Sequence, residues 1–517
     1  MRRHRLVSIA LSLALLVLLA PGALAQFGQN KVHYKDFRWK ILRTEHFDIH
    51  YYEGTEEAVE IAALMAERGY RRLSATLHHH IKARIPLVLY ASHTDFEQTN
   101  ITPELISIGT GGVTELLRRR VFLPFTGSFA ELDHVLTHEL VHAFQVDVLF
   151  GDNVGILGNP FASTPPLWFM EGMAEYLSVG GIDPNTRMWL RDASLEGYLI
   201  PIQTLQYVGD IRVYRFGQSI LQFIADTYGV AKVGDLLKRT RRLGSVERAL
   251  EATTGLTIET LSKKWQESVR REYLPQIADF EKPEAVATRL TDAERDLSNF
   301  NVAVSVSPSG TQMVYISDRS MYNDVYLASA LDGKVFKKLI SGERTPSFET
   351  LRFFNTSIAW SPDEKQIAIP AKAGGEDALY IVDVPSGKVR KKLRFGLDAI
   401  YSPAWSPDGS RIAFVGIANG LSSLRAASPT GGKDEVLVSG LHAVRDPSWS
   451  PDGGKLVFLT DQGEGTDLER LVFAPLRVAI FDVATKTVTV PPGQSGQNTS
   501  PQWGPDGRSI LFVSDRT

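Results

Sequence analysis

The sequence predicts a multidomain protein, with an α+β domain in its N-terminal half and an all-β propeller in its C-terminal half. Three observations predict this. Histidines and glutamates recur at four-residue spacing in two helical stretches between residues 128 and 180. The region ahead of them reads strand, helix, strand, strand. Past residue 296, a Ser-Pro-Asp-Gly type of turn recurs every 44 to 54 residues, each time followed by an alternating apolar strand.

Residues 1–25 read as a cleavable signal peptide. Arg2, Arg3 and Arg5 precede an apolar run from Leu6 to Ala20, and Ala23-Leu24-Ala25 is a small-residue cleavage site, cut after Ala25. The apolar run is short for a membrane span, so no transmembrane segment is expected after cleavage. The mature chain is expected in the periplasm or outside the cell. Loss of the leader's three arginines takes the formal charge from −3 to −6, which leaves no basic footprint for nucleic acid. There is no cysteine, so an exported fold must rest on its core alone.

The expected divisions are a metal-binding domain over 26–275, an acidic, irregular linker over 276–295, and propeller repeats over 296–517. Phe47 to Tyr52 and Ile85 to Tyr90 read as strands, Glu56 to Leu77 as an amphipathic helix, and Arg119 to Phe125 as a third strand. His78-His79-His80 stands at a polar helix end and reads as solvated. Arg118-Arg119-Arg120 reads as a polar strand end.

The metal-binding expectation rests on His138-Glu139-Leu140-Val141-His142, an H-E-x-x-H. On a helix, residues four apart share a face, so His138 and His142 can turn two imidazoles to one ion, and Glu139 can reach a water on it. Ser128 and Glu131 form a capping-box pattern, and Gly151 suits the C-terminal end. Downstream, Trp168-Phe169-Met170-Glu171-Gly172-Met173-Ala174-Glu175-Tyr176 reads as a second helix with Thr164 as N-cap and Pro165 in the first turn. A catalytic zinc takes three protein ligands and leaves one position for water. Glu171 is the natural third ligand, and Glu175, one turn on, is placed to hold a ligand histidine.

Together, H-E-L-V-H and W-F-M-E-G-M-A-E-Y resemble the gluzincin metallopeptidases in their peptidase MA-like form. The resemblance implies Zn2+ on His138, His142 and Glu171, with Glu139 as general base and a peptide or protein as substrate. Two features depart from the aminopeptidase branch: 28 residues separate His142 from Glu171, and no G-x-M-E-N motif is present. Endopeptidase activity is therefore the expectation. The metzincin pattern is excluded by Gln145 and Val148, where it requires Gly and His. Gluzincins also lay a sheet edge beside the cleft. The resemblance favours Val121 to Pro124 for that role, and an ordinary internal strand fits the same residues. The Gly- and Pro-rich stretch from Gly151 to Pro166 reads as a lid or as a passive connector. Helices are expected over Phe216 to Tyr228 and Thr257 to Glu272, matching the helical lobe of that family. Tyr214 is the candidate donor to a tetrahedral oxyanion, against a plain core tyrosine.

The C-terminal turns are Ser307-Pro308-Ser309-Gly310, Ser361-Pro362-Asp363-Glu364, Ser406-Pro407-Asp408-Gly409, Ser450-Pro451-Asp452-Gly453 and Gly504-Pro505-Asp506-Gly507. Trp360, Trp405, Trp449 and Trp503 stand directly before four of them. The W-S-P-D-G-x-x-I-x-F form is similar to TolB-type propellers and implies a ring of about four to five blades that binds a protein or peptide. The last repeat holds only about two strands, so the ring is expected to be incomplete. A non-catalytic envelope scaffold that retains the zinc residues is the competing expectation for the whole chain.

Overall fold

The computed structural model describes residues 32–102, 105–116, 118–151, 165–345 and 347–516. The signal-peptide reading of residues 1–25, most of the lid or connector and the cap at Thr164 fall outside these ranges.

The N-terminal region opens with Trp39–Arg43 (β1) and Phe47–Tyr52 (β2), an antiparallel pair. Glu56–Leu77 (α1) follows and buries Ala62, Met65, Leu73 and Leu77, the residues its 3.6-residue period lines up. Ile85–Tyr90 (β3) lies parallel to β2, and His93–Phe96 (α2) is a single turn. Val113–Glu115 (β4) and Arg120–Pro124 (β5) complete a sheet of order β1-β2-β3-β5-β4. β5 runs parallel to β3 and antiparallel to β4. Val121 to Pro124 is therefore an interior strand, buried on both sides. The edge on that side of the sheet is β4, which is too short and mixed to announce itself in the sequence.

Phe129–Phe150 (α3) and Leu167–Val179 (α4) are the two motif helices. Behind them stand Pro184–Glu196 (α5), Ile202–Leu205 (α6), Arg212–Tyr228 (α7), Ala231–Leu243 (α8), Val246–Thr254 (α9) and Ile258–Ile277 (α10). The core of this lobe holds Phe216, Ile220, Leu236 and Trp265, whose indole N–H donates to Ser219 Oγ at 3.0 Å. His79 and His80 are tied to Asp147 at 2.6 Å and to Ser74 at 2.8 Å, and His78 ends α1 in the left-handed region. Arg119 and Arg120 pair with Asp147 and Glu115. The segment 278–300 carries two single-turn helices, Pro283–Val286 and Ala293–Asp296.

The C-terminal region is all β. Among the described residues, three four-stranded sheets, one five-stranded sheet and a two-stranded sheet follow one another, with antiparallel neighbours in each. First strands of successive blades pack side by side. Trp360 and Trp449 staple adjacent blades by donating to the carbonyls of Ser305 and Ala404, each at 3.1 Å. In the turns, the serine hydroxyl donates to the aspartate two residues on, as Ser406 does to Asp408 at 2.6 Å, and Gly409 and Gly453 take positive φ. Among the described residues, Ile510–Ser514 pairs only with Asn498–Trp503, and Asn301–Val306 pairs only with Gln312–Ser317.

The two regions share a buried polar interface. Gly127 makes a parallel bridge to Leu421, and Ser422 Oγ donates to the Gly127 carbonyl at 2.8 Å. Arg352, fully buried, pairs with Asp377 at 2.8 Å and Glu97 at 3.2 Å and donates to Thr94. Lys372 pairs with Glu97 at 2.5 Å. Two cations thus face two anions, which offsets the cost of burying them. No helix among the described residues is long and apolar enough to cross a membrane.

Candidate metal centre

Ser128 caps α3 by accepting from the Glu131 amide at 3.4 Å. Glu131 leaves the reciprocal half of the box unmade; it accepts from Thr126 Oγ1 at 2.9 Å and pairs with Arg445 of the propeller. Gly151 ends the helix with φ 59. Leu132, Leu136, Leu140 and Phe144 are buried in the lobe core, and His138 and Glu139 are buried beside them. α4 begins at Leu167 with Pro166 in the N-cap position, so Pro165 lies ahead of the helix and not in its first turn.

The two helices bring His138, His142 and Glu171 together. His138 Nε2, His142 Nε2 and Glu171 Oε2 form a triangle with all three sides 3.2 Å. Tetrahedral zinc with bonds of about 2.0–2.2 Å needs its donors roughly 3.4 Å apart, so this triangle fits such an ion. The outer ring nitrogens fit it too. His142 Nδ1 lies 2.8 Å from Gln145 Oε1, and His138 Nδ1 lies 3.3 Å from Glu175 Oε1. With a proton on each Nδ1, both Nε2 lone pairs face the Glu171 carboxylate. Three converging lone pairs repel one another unless a cation or protons sit among them. Absent a cation, the cluster holds protons. Burial lowers the His138 pKa, but the Glu171 and Glu175 carboxylates outweigh it and push it up to about 10. His142 is likewise raised, while Glu171 and Glu175, despite burial, are held well below the usual carboxylate range by their histidine partners.

Glu139 lies beside the triangle, and the Thr114 hydroxyl of β4 donates to its Oε2 at 2.6 Å. The Tyr214 ring stacks over that of His138, centroids 6.1 Å apart at 20°. Burial, then the carboxylates of Glu171, Glu139 and Glu175, push the Tyr214 hydroxyl pKa up, so it keeps its proton. His138, Glu139, His142, Glu171, Glu175 and Tyr214 therefore stand at one place. Four further residues join them. His134 Nε2 lies 3.3 Å from Glu175 Oε2, and Arg215 Nη1 lies 3.3 Å from the same oxygen. Gln145 bridges His142 to the Met170 carbonyl, donating to the latter at 2.9 Å. Thr114 is the fourth. His134 alone had a sequence signal, as the first of three histidines spaced four apart.

In comparisons with known proteins, the TolB β-propeller domain family (PD40) matches residues 282–474 and 391–517. The C-terminal region is a TolB-like β-propeller. The match begins at residue 282, beyond the cluster of His138, His142 and Glu171. The Tol-Pal system protein TolB of Bordetella pertussis is 33% identical over 163 residues, which are 29% of this chain and 32% of that protein. TolB of Bordetella parapertussis matches to the same extent. The chain thus spans about a third of the length of these curated relatives. The solved structure of TolB from Acinetobacter baumannii aligns with a TM-score of 0.33 and 20% identity, over 41% of this chain and 48% of that one.

Proposed function

We propose that the chain is an exported zinc-dependent metallopeptidase of the gluzincin type, an endopeptidase, whose propeller binds protein or peptide. The observation that carries this is the donor triangle of His138, His142 and Glu171 with Glu139 at its side. Bound zinc would polarise the scissile carbonyl and acidify a water. Glu139 takes the proton of that water and passes it to the leaving amine nitrogen. Gln145 and Glu175 fix the two rings with Nε2 inward. Tyr214, kept protonated, donates to the oxyanion. The edge strand β4 offers backbone groups to an extended peptide, which can add as a further strand. The 1–25 leader reading supports action in the periplasm or outside the cell.

The test is turnover of an unfolded protein such as casein by the zinc-loaded chain, with loss of activity on chelation and recovery on adding zinc. A chain that holds zinc yet cleaves no protein sinks the peptidase reading.

A second reading, a non-catalytic envelope binding protein that retains a zinc site, is favoured by the likeness of the propeller to the Tol-Pal system protein TolB. On that reading the propeller binds a protein partner and the zinc only stabilises the fold. Casein cleavage that vanishes in Glu139→Gln would exclude it.

A further inference from the structure

The loop residues 109–112, just ahead of β4, run from the propeller to Glu139. At one end, a Cβ on Gly109 would meet the Phe354 ring at 3.1 Å; at the other, a Cβ on Gly112 would meet Glu139 Cγ at 2.8 Å. A Cβ at Gly112 would force Leu123 or Glu139 to shift, and one at Gly109 would need the Phe354 ring to give by a few tenths of an ångström, so both positions bring backbone close to a neighbour. The loop is also tethered in its middle. His93 Nε2 lies 3.2 Å from the Thr110 carbonyl, and His93 Nδ1 lies 2.9 Å from Glu97 Oε1. Glu97 is in turn gripped by two propeller cations, Arg352 at 3.2 Å and Lys372 at 2.5 Å.

Past Thr110 the chain enters β4, which among the described residues pairs with β5 alone. β4 is three residues long, and beyond its ladder with β5 it is held at its far end by Glu115, which accepts from Arg120 Nε at 3.1 Å. Its tie to the cleft is Thr114, whose hydroxyl donates to Glu139 Oε2 at 2.6 Å and lies 2.9 Å from the Glu139 carbonyl.

We infer that the propeller positions the cleft strand. The path runs from Arg352 and Lys372 to Glu97, from Glu97 to His93, from His93 to the Thr110 carbonyl, and through β4 to Thr114 on Glu139. His93 and Thr114 are positioning residues, and the C-terminal region is a working part of the metal site in addition to any partner it binds. The Glu139 end of the path rests on the peptidase reading; the tether of β4 to the propeller does not.

The test uses the full zinc-loaded chain and two readouts. The first is amide hydrogen exchange over 110–115. His93→Ala is expected to speed exchange there about ten-fold or more while β3 is unchanged. Lys372→Gln, made on the propeller side and less deeply buried than Arg352, is expected to act in the same direction and guards against misfolding of the first variant. Exchange at wild-type rates in both overturns the tether, whether or not the protein cleaves peptides. The second readout is kinetic. Thr114→Val removes the hydroxyl and keeps the shape; kcat should fall about 10-fold to 100-fold at unchanged zinc content and KM, and Thr114→Ser should restore it. A Thr114→Val variant with wild-type kcat overturns the last link. A wild-type chain inactive on every protein substrate counts against the peptidase reading alone, and exchange then decides the tether.

Discussion

Gly172 and Gly217 face each other where α4 crosses α7, and a Cβ on either would overlap the backbone of the other helix. This approach delivers Glu171 and Glu175 from one helix and Tyr214 and Arg215 from the other to a single place. Replacing Gly217 by alanine must push the helices apart. We expect Gly217→Ala to lose about 1–3 kcal/mol of stability, as overpacked cores do. Zinc content should also fall, because Arg215 can no longer reach Glu175 at 3.3 Å. Thermal unfolding and metal analysis check both; a variant that keeps wild-type values for each would show that the crossing does not set the centre.

Much of this was legible in the sequence, and the reasons differ by element. β2, α1 and β3 fall where period and breakers place them, because each buries one face on one core. His138, His142, Glu171 and Glu175 were legible because helical spacing alone fixes which side chains share a face. β4 was not: its three residues owe their conformation to pairing with β5, and pairing has no local signal. Gln145 and Thr114 were hidden for a related reason. Each is an ordinary polar residue until tertiary packing puts it within 2.8 Å of His142 and 2.6 Å of Glu139, respectively. Nor does a sequence divided by a linker announce Arg352 and Glu97, which lie 255 positions apart and meet only when the two regions dock.

The ligand assignment predicts a split between two kinds of variant. His142→Ala and Glu171→Ala each remove one corner of the triangle and should lower zinc content sharply from about one per chain. Glu139→Gln leaves the corners alone. It should keep its zinc and lose roughly 10²-fold to 10⁴-fold in turnover, the usual worth of a positioned base. Full zinc content in both corner variants would sink the ligand set, and unchanged turnover in Glu139→Gln would remove that residue from the chemistry.

Gln145 predicts an effect on affinity without contact to the ion. It is fully buried, accepts at Oε1 from His142 and donates at Nε2 to Met170. Gln145→Leu leaves the buried His142 Nδ1–H without its partner, at a cost of about 1–3 kcal/mol, while the Met170 carbonyl, inside α4, keeps its helical bond. Zinc affinity, measured by competition with a chelator, should drop about 10-fold to 100-fold. Gln145→Glu keeps the acceptor at His142 and should retain more affinity than the leucine variant; the reverse order would show that the ring is oriented by something else.

Acid should loosen the joint between the two regions, and Glu97 is the group to follow. Burial raises its pKa, but Arg352, His93 and Lys372 outweigh burial and hold it well below its ordinary value of 4.5. A folded-state pKa below the unfolded one means that the unfolded chain binds more protons just under 4.5. The stability Glu97 contributes is therefore fully present above that value and is lost as pH falls from it toward the folded value. Glu97→Gln carries no titrating proton and resembles the protonated wild type. At neutral pH it should be the less stable of the two, because Arg352 and Lys372 lose their counter-charge. As pH drops below about 4.5 the gap should close, by up to about 1.4 kcal/mol per pH unit. The remaining carboxylates are common to both proteins and cancel in the difference. Denaturant unfolding of both from about pH 7 down to about pH 3 measures it, and a gap that stays constant across that range would mean that Glu97 is not held by the propeller cations in solution.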